Sequence, residues 1–365
     1  MSFRDEHNFS GGPGVLPPVV LEQVRQAIEQ VPEAGLSLLG ISHRSDWFRQ
    51  LLDTAEARLR DLLGLDASWA VLFLQGGATQ QFSMVPMSFL RTSGLAADYI
   101  ESGYWSAKSL VHARRCGSVR LAYSDRAQGF HALPEADSRR YDPAAAYLHY
   151  VSNETVEGLQ FHHVPGHAEV LRICDMSSDF LSRPLAVDRF DLIYAHAQKN
   201  LGPSGVTLVL LKRALLAQLP TDLPDFLDYQ AQVTAASLLN TPPVFAIYVV
   251  ERVLRWLQQD IGGLAAMQRI NAAKAASLYA VLDEFPDFYR GHARRCDRSQ
   301  MNVVFHLPSA EADQAFLQAC EGRDYVGLAG HRSLGGVRAS LYNAMSLAAT
   351  EDLSAFMREY ARSRA

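Results

Sequence analysis

The sequence predicts an α/β fold, with a large domain whose mostly parallel sheet is covered by helices and a smaller α+β domain toward the C-terminal end. Three observations carry this. Short apolar, β-rich runs alternate with segments of helical period through the first part of the chain, and strands separated by helices pair side by side in a parallel sheet. After Val244 the pattern turns long and helical, breaks at Gly262-Gly263 and ends in short strand-like pieces. The composition of the 365 residues, 48% hydrophobic and 20% charged, is that of a chain with an ordinary buried core.

Residues 8–18 form a Gly/Pro-rich loop, after which Val20, Leu21, Val24 and Ile28 recur at helical spacing from Val19 onward. Residues 69–74 read as a strand running into a helix. Further strands are expected at 97–100, 145–151, 170–174, 191–195 and 206–211. The helical stretch from Val244 to Leu282 follows, with Phe245 and Tyr248 on its core side, and then strand-like runs at 302–307 and 336–341. The expected division is a large domain at 16–262 and a small domain made of 1–15 and 263–365.

Acidic residues outnumber basic ones, 39 to 34, and no basic run appears. A broad nucleic-acid surface is therefore not expected, and any anion site has to be focal. Cys116, Cys174, Cys296 and Cys320 fall in no CxxC or Cys/His spacing, and His162, His163 and His167 form no ligand set, so neither a disulfide framework nor a metal is expected. The first residues hold acids and no apolar stretch, and the uncharged segment 231–250 is broken by polar residues and Pro242-Pro243. No leader and no membrane span are expected, which places the chain in the cytoplasm.

Two residues stand out for chemistry. Asp175 follows one apolar run and Lys199, 24 residues later, follows the next. Both fall at strand carboxyl ends, the edge of an open α/β sheet where ligands bind. Taken alone, an acid there also reads as a helix cap and a lysine as a solvated charge. Residues 197–205, Ala-Gln-Lys-Asn-Leu-Gly-Pro-Ser-Gly, put Lys199 in a tight turn where an amine can be held against a cofactor carbonyl. The Gln75-Gly76-Gly77-Ala78-Thr79 stretch between strand and helix can cradle a phosphate on backbone N–H groups, or simply connect the two elements. Neither GxGxxG nor GxxxxGK[ST] occurs, so dinucleotide and P-loop readings lack their fingerprints.

Ten ordered stretches, nearly end to end, resemble the phosphoserine aminotransferase family of the class V branch of fold-type I pyridoxal-phosphate enzymes. They are Asn8-Phe-Ser-Gly-Gly-Pro-Gly-Val-Leu-Pro17, Ser42-His-Arg-Ser45, Gly76-Gly77, Ser102-Gly-Tyr-Trp105, His149-Tyr-Val-Ser-Asn-Glu-Thr155, Asp175-Met-Ser-Ser178, Ala197-Gln-Lys-Asn-Leu-Gly-Pro203, Asn240-Thr-Pro-Pro243, Arg298-Ser-Gln-Met-Asn302 and Gly330-His-Arg-Ser-Leu-Gly-Gly-Val-Arg338. Thr79 stands where some members carry a basic residue, and Gly11-Gly12-Pro13 replaces the more usual small-residue-Gly-Pro.

The resemblance implies pyridoxal 5'-phosphate as cofactor, with Lys199 as its covalent partner and Asp175 as the carboxylate opposite its pyridine nitrogen. Trp105 corresponds to the ring that stacks on it, Thr155 to the hydroxyl at its ring oxygen, and Ala78, Thr79 and Gln198 to its phosphate cup. Asn240 and Thr241 match residues that complete the cup from a second subunit, which implies a homodimer with shared sites. Arg338 corresponds to the clamp on the substrate α-carboxylate. Ser10, His331 and Arg332, with His43 and Arg44 from the partner, correspond to further substrate contacts, the two His-Arg pairs at the phosphate. The implied reaction is reversible amino transfer between L-glutamate and 3-phosphooxypyruvate, giving 2-oxoglutarate and O-phospho-L-serine, with a further substrate in vitamin B6 synthesis. The competing readings are a cysteine desulfurase, which needs a reactive thiol on a mobile loop, a glyoxylate-type aminotransferase, and a catalytically silent binding module.

Overall fold

In the computed structural model, which describes residues 4–136 and 140–364, the central sheet begins with β1 (Trp69–Gln75), β2 (Ala97–Glu101), β3 (Val119–Ser124) and β4 (Leu148–Val151). It is completed by β7 (Arg172–Asp175), β8 (Leu192–His196) and β9 (Val206–Lys212), in the spatial order β1-β9-β8-β7-β4-β2-β3. Only β9 runs against both of its neighbours, and the remaining pairs are parallel. The sequence reads β9 as one more strand without showing its direction. Because the chain returns directly from β8 into an antiparallel β9, the turn holding Lys199 stays at the carboxyl edge of the sheet, beside the end of β7.

Strands buried on both faces read as continuous apolar runs. On β1, Val71 and Phe73 face a core shared with helices α1 (Pro18–Glu29), α2 (Asp46–Leu63) and α6 (Val244–Gln259). Leu72 and Leu74 face the opposite core, with α3 (Ala78–Phe89), α4 (Tyr104–Ala113) and α5 (Tyr229–Thr234). This is the two-residue period of a strand serving two layers at once. Ser45 caps α2 by accepting from Phe48 N at 3.2 Å, which sets the chain direction just after His43-Arg44.

A third apolar cluster joins Phe9 and Val15 to α7 (Leu264–Glu284), α8 (Ala310–Glu321), α9 (Leu347–Arg362) and an antiparallel sheet of β10 (Arg290–Gly291), β11 (Asn302–His306) and β12 (Val337–Ser340). Between β4 and β7 a two-stranded ribbon, β5 (Asn153–Glu154) and β6 (Leu159–Gln160), stands off the main sheet.

Two expectations change. The run 145–151 forms a strand only from Leu148, where pairing with Arg172 begins. Strand β3 was not expected at all: it is the sheet's edge, only partly buried, and its Val-Arg-Leu-Ala-Tyr-Ser sequence lacks the apolar run of an interior strand. No helix among the described residues is long and apolar enough to cross a membrane. No group of three or more His, Cys, Asp or Glu there could hold a metal ion.

Candidate active site

Asp175 is the last residue of β7 and pairs in register with Tyr194 on β8, while Lys199 lies in the turn that leaves β8. Lys199 is 6% exposed. Its Nζ donates to Thr155 Oγ1 at 2.6 Å and Ser178 Oγ at 2.8 Å, and those hydroxyls are 2.6 Å apart. Burial lowers the Lys199 pKa to about 8 against the opposing pull of Asp175. Asp175 accepts Ser177 N at 2.8 Å. Burial raises its pKa, with the Ser177 hydrogen bonds and Lys199 opposing, so a cation set against it would draw it back to the ionised form.

Lys199, Asp175, Ser177 and Ser178 line a cavity of about 200 Å3 whose wall also includes Gly77, Ala78, Thr79, Trp105 and Gln198, while Thr155 meets it only through the Lys199 amine. Gly77 precedes the 12-residue helix α3 and provides no side-chain cap, so first-turn N–H groups remain for an anion. Trp105 Nε1 and Arg338 Nε are buried donors without a partner. An uncapped helix start, a buried amine, a buried acid and unpartnered donors fit pyridoxal phosphate, an aldehyde that carries a phosphate and a ring nitrogen. His196 lines the same cavity and was not singled out from the sequence. Burial, then Lys199, lowers its pKa to about 3, so it is a neutral imidazole.

Trp105 is held from outside its own helix. Glu154 accepts Trp105 N at 3.0 Å, Ser106 N at 2.9 Å and Ser102 Oγ at 3.3 Å, while Glu157 accepts Tyr104 N at 2.9 Å. Two carboxylates thus cap the start of α4, where they meet the positive end of the helix dipole. Their approach requires Gly103, because a Cβ there would lie 2.5 Å from Glu157 Oε2 and 2.7 Å from Glu154 Cδ. Burial raises both pKa values, and the Glu154 charge pushes Glu157 further up. Sequence reading passed over Glu154 although it sits inside the Asn153-Glu154-Thr155 motif, since its partners lie some 50 residues away in the chain (|i−j| = 48 to 52).

Arg338 projects from β12 toward the N-terminal loop. A Cβ on Gly11 would be 2.1 Å from its Nη2, which explains glycine at this position. The loop is fastened to the lysine turn by Gly14 N donating to Gln198 O at 2.8 Å, and to β12 by Ser340 N donating to Phe9 O at 3.1 Å. Ser10 Oγ donates to Asn8 Oδ1 at 2.6 Å. His331 stands with its ring centre 4.6 Å from that of Tyr104, whose hydroxyl pKa is lowered by Lys108 and then Arg332, with burial opposing. Arg338, Arg332, His331 and Lys108 thereby converge: burial, then these three cations in that order, lowers the His331 pKa.

Four residues do not join this group within one chain. His43 and Arg44 lie ahead of α2, with Arg44 exposed, and Asn240 and Thr241 are exposed ahead of α6. Thr241 O accepts from Gln75 Nε2 of the same chain. None of the four lines the Lys199 cavity.

The aminotransferase class-V family model matches residues 7–354. The chain is 45% identical to a phosphoserine aminotransferase of Geobacillus kaustophilus over 356 residues, covering 98% of each. It is 43% identical to that of Nitrosomonas europaea over 370 residues, covering 99% of this chain and all of the relative. The solved phosphoserine aminotransferase from Bacillus circulans subsp. alkalophilus superposes with a TM-score of 0.94 at 43% identity, over 98% of this chain and 99% of that one. A phosphoserine aminotransferase of Trichomonas vaginalis, solved with pyridoxal phosphate bound, superposes with a TM-score of 0.88 at 33% identity, over 96% and 99%. An alanine-glyoxylate aminotransferase from Nostoc, at 17% identity and a TM-score of 0.73, shares the fold. A buried lysine and aspartate at neighbouring strand ends, carried on a fold and sequence matched over nearly their whole length, make this chain a member of the class-V aminotransferases and, within them, of the phosphoserine aminotransferase family.

Proposed function

We propose that the chain is a pyridoxal-phosphate-dependent transaminase that moves an amino group reversibly between L-glutamate and 3-phosphooxypyruvate, giving 2-oxoglutarate and O-phospho-L-serine. The observation that carries this reading is the Lys199 amine, buried, lowered to about pKa 8 and held by two hydroxyls beside Asp175. When bound, pyridoxal phosphate supplies the electron sink for the pair left on the substrate Cα when its proton departs. Lys199 Nζ is the group that takes and returns that proton, and Thr155 and Ser178 fix where it stands. Asp175 keeps a negative charge at the ring-nitrogen end, Trp105 covers the ring, and Ala78, Thr79 and Gln198 hold the phosphate. Arg338 orients the α-carboxylate, for which its planar fork is suited, while Ser10, His331 and Arg332 meet the remainder of the substrate.

A homodimer with shared sites is part of this proposal. Arg44, Asn240 and Thr241 are exposed in one chain, and exposed apolar residues accompany them: Leu36 is 54% exposed, Leu39 67% and Leu239 36%. A second copy that buries these leucines would bring His43 and Arg44 to the substrate phosphate and Asn240 and Thr241 to the cofactor phosphate. The division into 16–262 and 1–15 plus 263–365 is also proposed, supported by the apolar cluster that unites Phe9 and Val15 with α7, α8 and α9. A cytoplasmic setting is supported by four free thiols. The desulfurase reading lacks a thiol at the site: none of the four cysteines lines the cavity, and Cys320 is buried with its pKa pushed to about 12.

The test is the visible spectrum of purified holoenzyme before and after L-glutamate, followed by addition of 3-phosphooxypyruvate. Glutamate is expected to bleach the cofactor band, and the oxo acid to restore it with stoichiometric release of O-phosphoserine. A band indifferent to glutamate rejects the reading.

A further inference from the structure

Tyr104 and Lys108 lie one helical turn apart on α4, so their side chains share a face of the helix. Lys108 Nζ is 5.1 Å from the Tyr104 ring centre and 5.4 Å from that of Trp105. The His331 ring is 4.6 Å from the Tyr104 ring, and Lys108 and, behind it, Arg332 lie near enough to the Tyr104 hydroxyl to lower its pKa against the effect of burial. One tyrosine therefore gathers a lysine, an arginine and a histidine from two distant parts of the chain.

The charges in this group are uncompensated. Arginines elsewhere on the sheet's edge are paired, Arg120 with Asp98 and Arg126 with Glu101. Lys108, Arg332 and Arg338 form no ion pair with a carboxylate among the described residues. The acid that interacts with Arg338 is Glu157, which burial and Glu154 push toward its neutral form. In a chain of net charge −5, such a concentration of unpaired cations marks a local anion site.

We propose that Lys108, steadied by Tyr104, is a further specificity-determining residue that binds the substrate's phosphate group together with His331 and Arg332. The inference rests on the transaminase reading above and deepens it. A phosphate monoester carries about −1.5 to −2 charges at neutral pH and three acceptor oxygens. Within one chain Arg332 alone does not match that charge, and His331, kept neutral by burial and the surrounding cations, contributes a single donor. A lysine provides a compact charge with three donors on a flexible stem, able to follow the phosphate as substrate enters. Its exposed position keeps the desolvation penalty small, so its effect should be of few-fold size.

The experiment compares kcat/KM for the amino-donor half-reactions of O-phosphoserine and alanine, using holoenzymes carrying Lys108→Met, Lys108→Arg or Arg332→Ala. Lys108→Met should lower the O-phosphoserine to alanine ratio about 1.4- to five-fold, the size of an exposed charge interaction. The loss should lie mainly in KM, diminish as salt rises and be recovered by Lys108→Arg. If Arg332→Ala lowers the ratio and Lys108→Met does not, Lys108 has no part in the pocket and the inference is overturned. Equal losses with both donors in Lys108→Met also overturn it, since the lysine would then act only by packing on Trp105. If neither variant shifts the ratio, the phosphate reading itself fails.

Discussion

Lys199 is the residue on which the chemistry depends, and its surroundings say what removing it should do. It is anchored through two side-chain hydroxyls, so Lys199→Ala should abolish turnover and the cofactor band while leaving the circular dichroism spectrum unchanged; substantial residual transamination would exclude it from the mechanism. Its pKa has a separate consequence. Only the neutral amine attacks a carbonyl, so apoprotein should take up pyridoxal phosphate about tenfold faster per pH unit up to about pH 8, then level off. A break near pH 10, that of an ordinary lysine, would show that burial does not set its basicity. For the substrate arginines, truncating one partner of a buried charge pair costs about 2 to 5 kcal/mol, or roughly 30-fold to several thousand-fold in kcat/KM. Arg332, exposed in one chain, reaches that size only where bound substrate and the partner chain bury it, so Arg332→Ala should lower O-phosphoserine turnover by more than the few-fold effect of Lys108 and leave alanine much less affected. Arg338→Ala should damage O-phosphoserine, glutamate and alanine alike, because each carries an α-carboxylate. A uniform loss in Arg332→Ala would recast that residue as structural.

At the scale of an element, α4 shows how a short helix becomes a fixed platform. A ten-residue helix is marginal on its own, yet its first turn is anchored by Glu154 and Glu157 from the β5–β6 ribbon. Glu154→Ala leaves two buried N–H groups without acceptors, at about 1 to 3 kcal/mol each. Denaturant unfolding should register a loss of about 2 to 6 kcal/mol on that basis, and cofactor affinity should fall with it as Trp105 loses its place. Full stability in Glu154→Ala would mean that the capping bonds contribute nothing net. Glu154→Gln, which keeps one acceptor oxygen, should fall between. A comparable tie operates in α7, where Lys274, wholly buried, donates to the carbonyls of Leu341, Tyr342 and Met345 at 2.8 to 3.0 Å, locking the chain that follows β12.

For the whole molecule the decisive question is whether two chains share each site. On the proposed arrangement, mixing inactive Lys199→Ala with inactive Arg44→Ala should restore activity after subunit exchange. A heterodimer holds one site with both defects and one with neither, so recovery should approach half of the wild-type activity per heterodimer. No recovery after verified exchange would place His43 and Arg44 outside their partner's site. How much was legible in advance differs by kind of information. The interior strands, the break at Gly262-Gly263 and the placement of Asp175 and Lys199 at strand ends follow from sequence by itself, because apolar period and glycine conformation are local properties that any stretch of chain displays. Tertiary structure alone decided the pairing of β9 with β1, the edge strand β3, the Glu154 and Glu157 caps, the closure of Gly11 over Arg338 and the approach of His331 to Tyr104. Each of these is a contact between residues remote in the chain, and a pairing of that kind leaves no periodic trace in either partner's own segment.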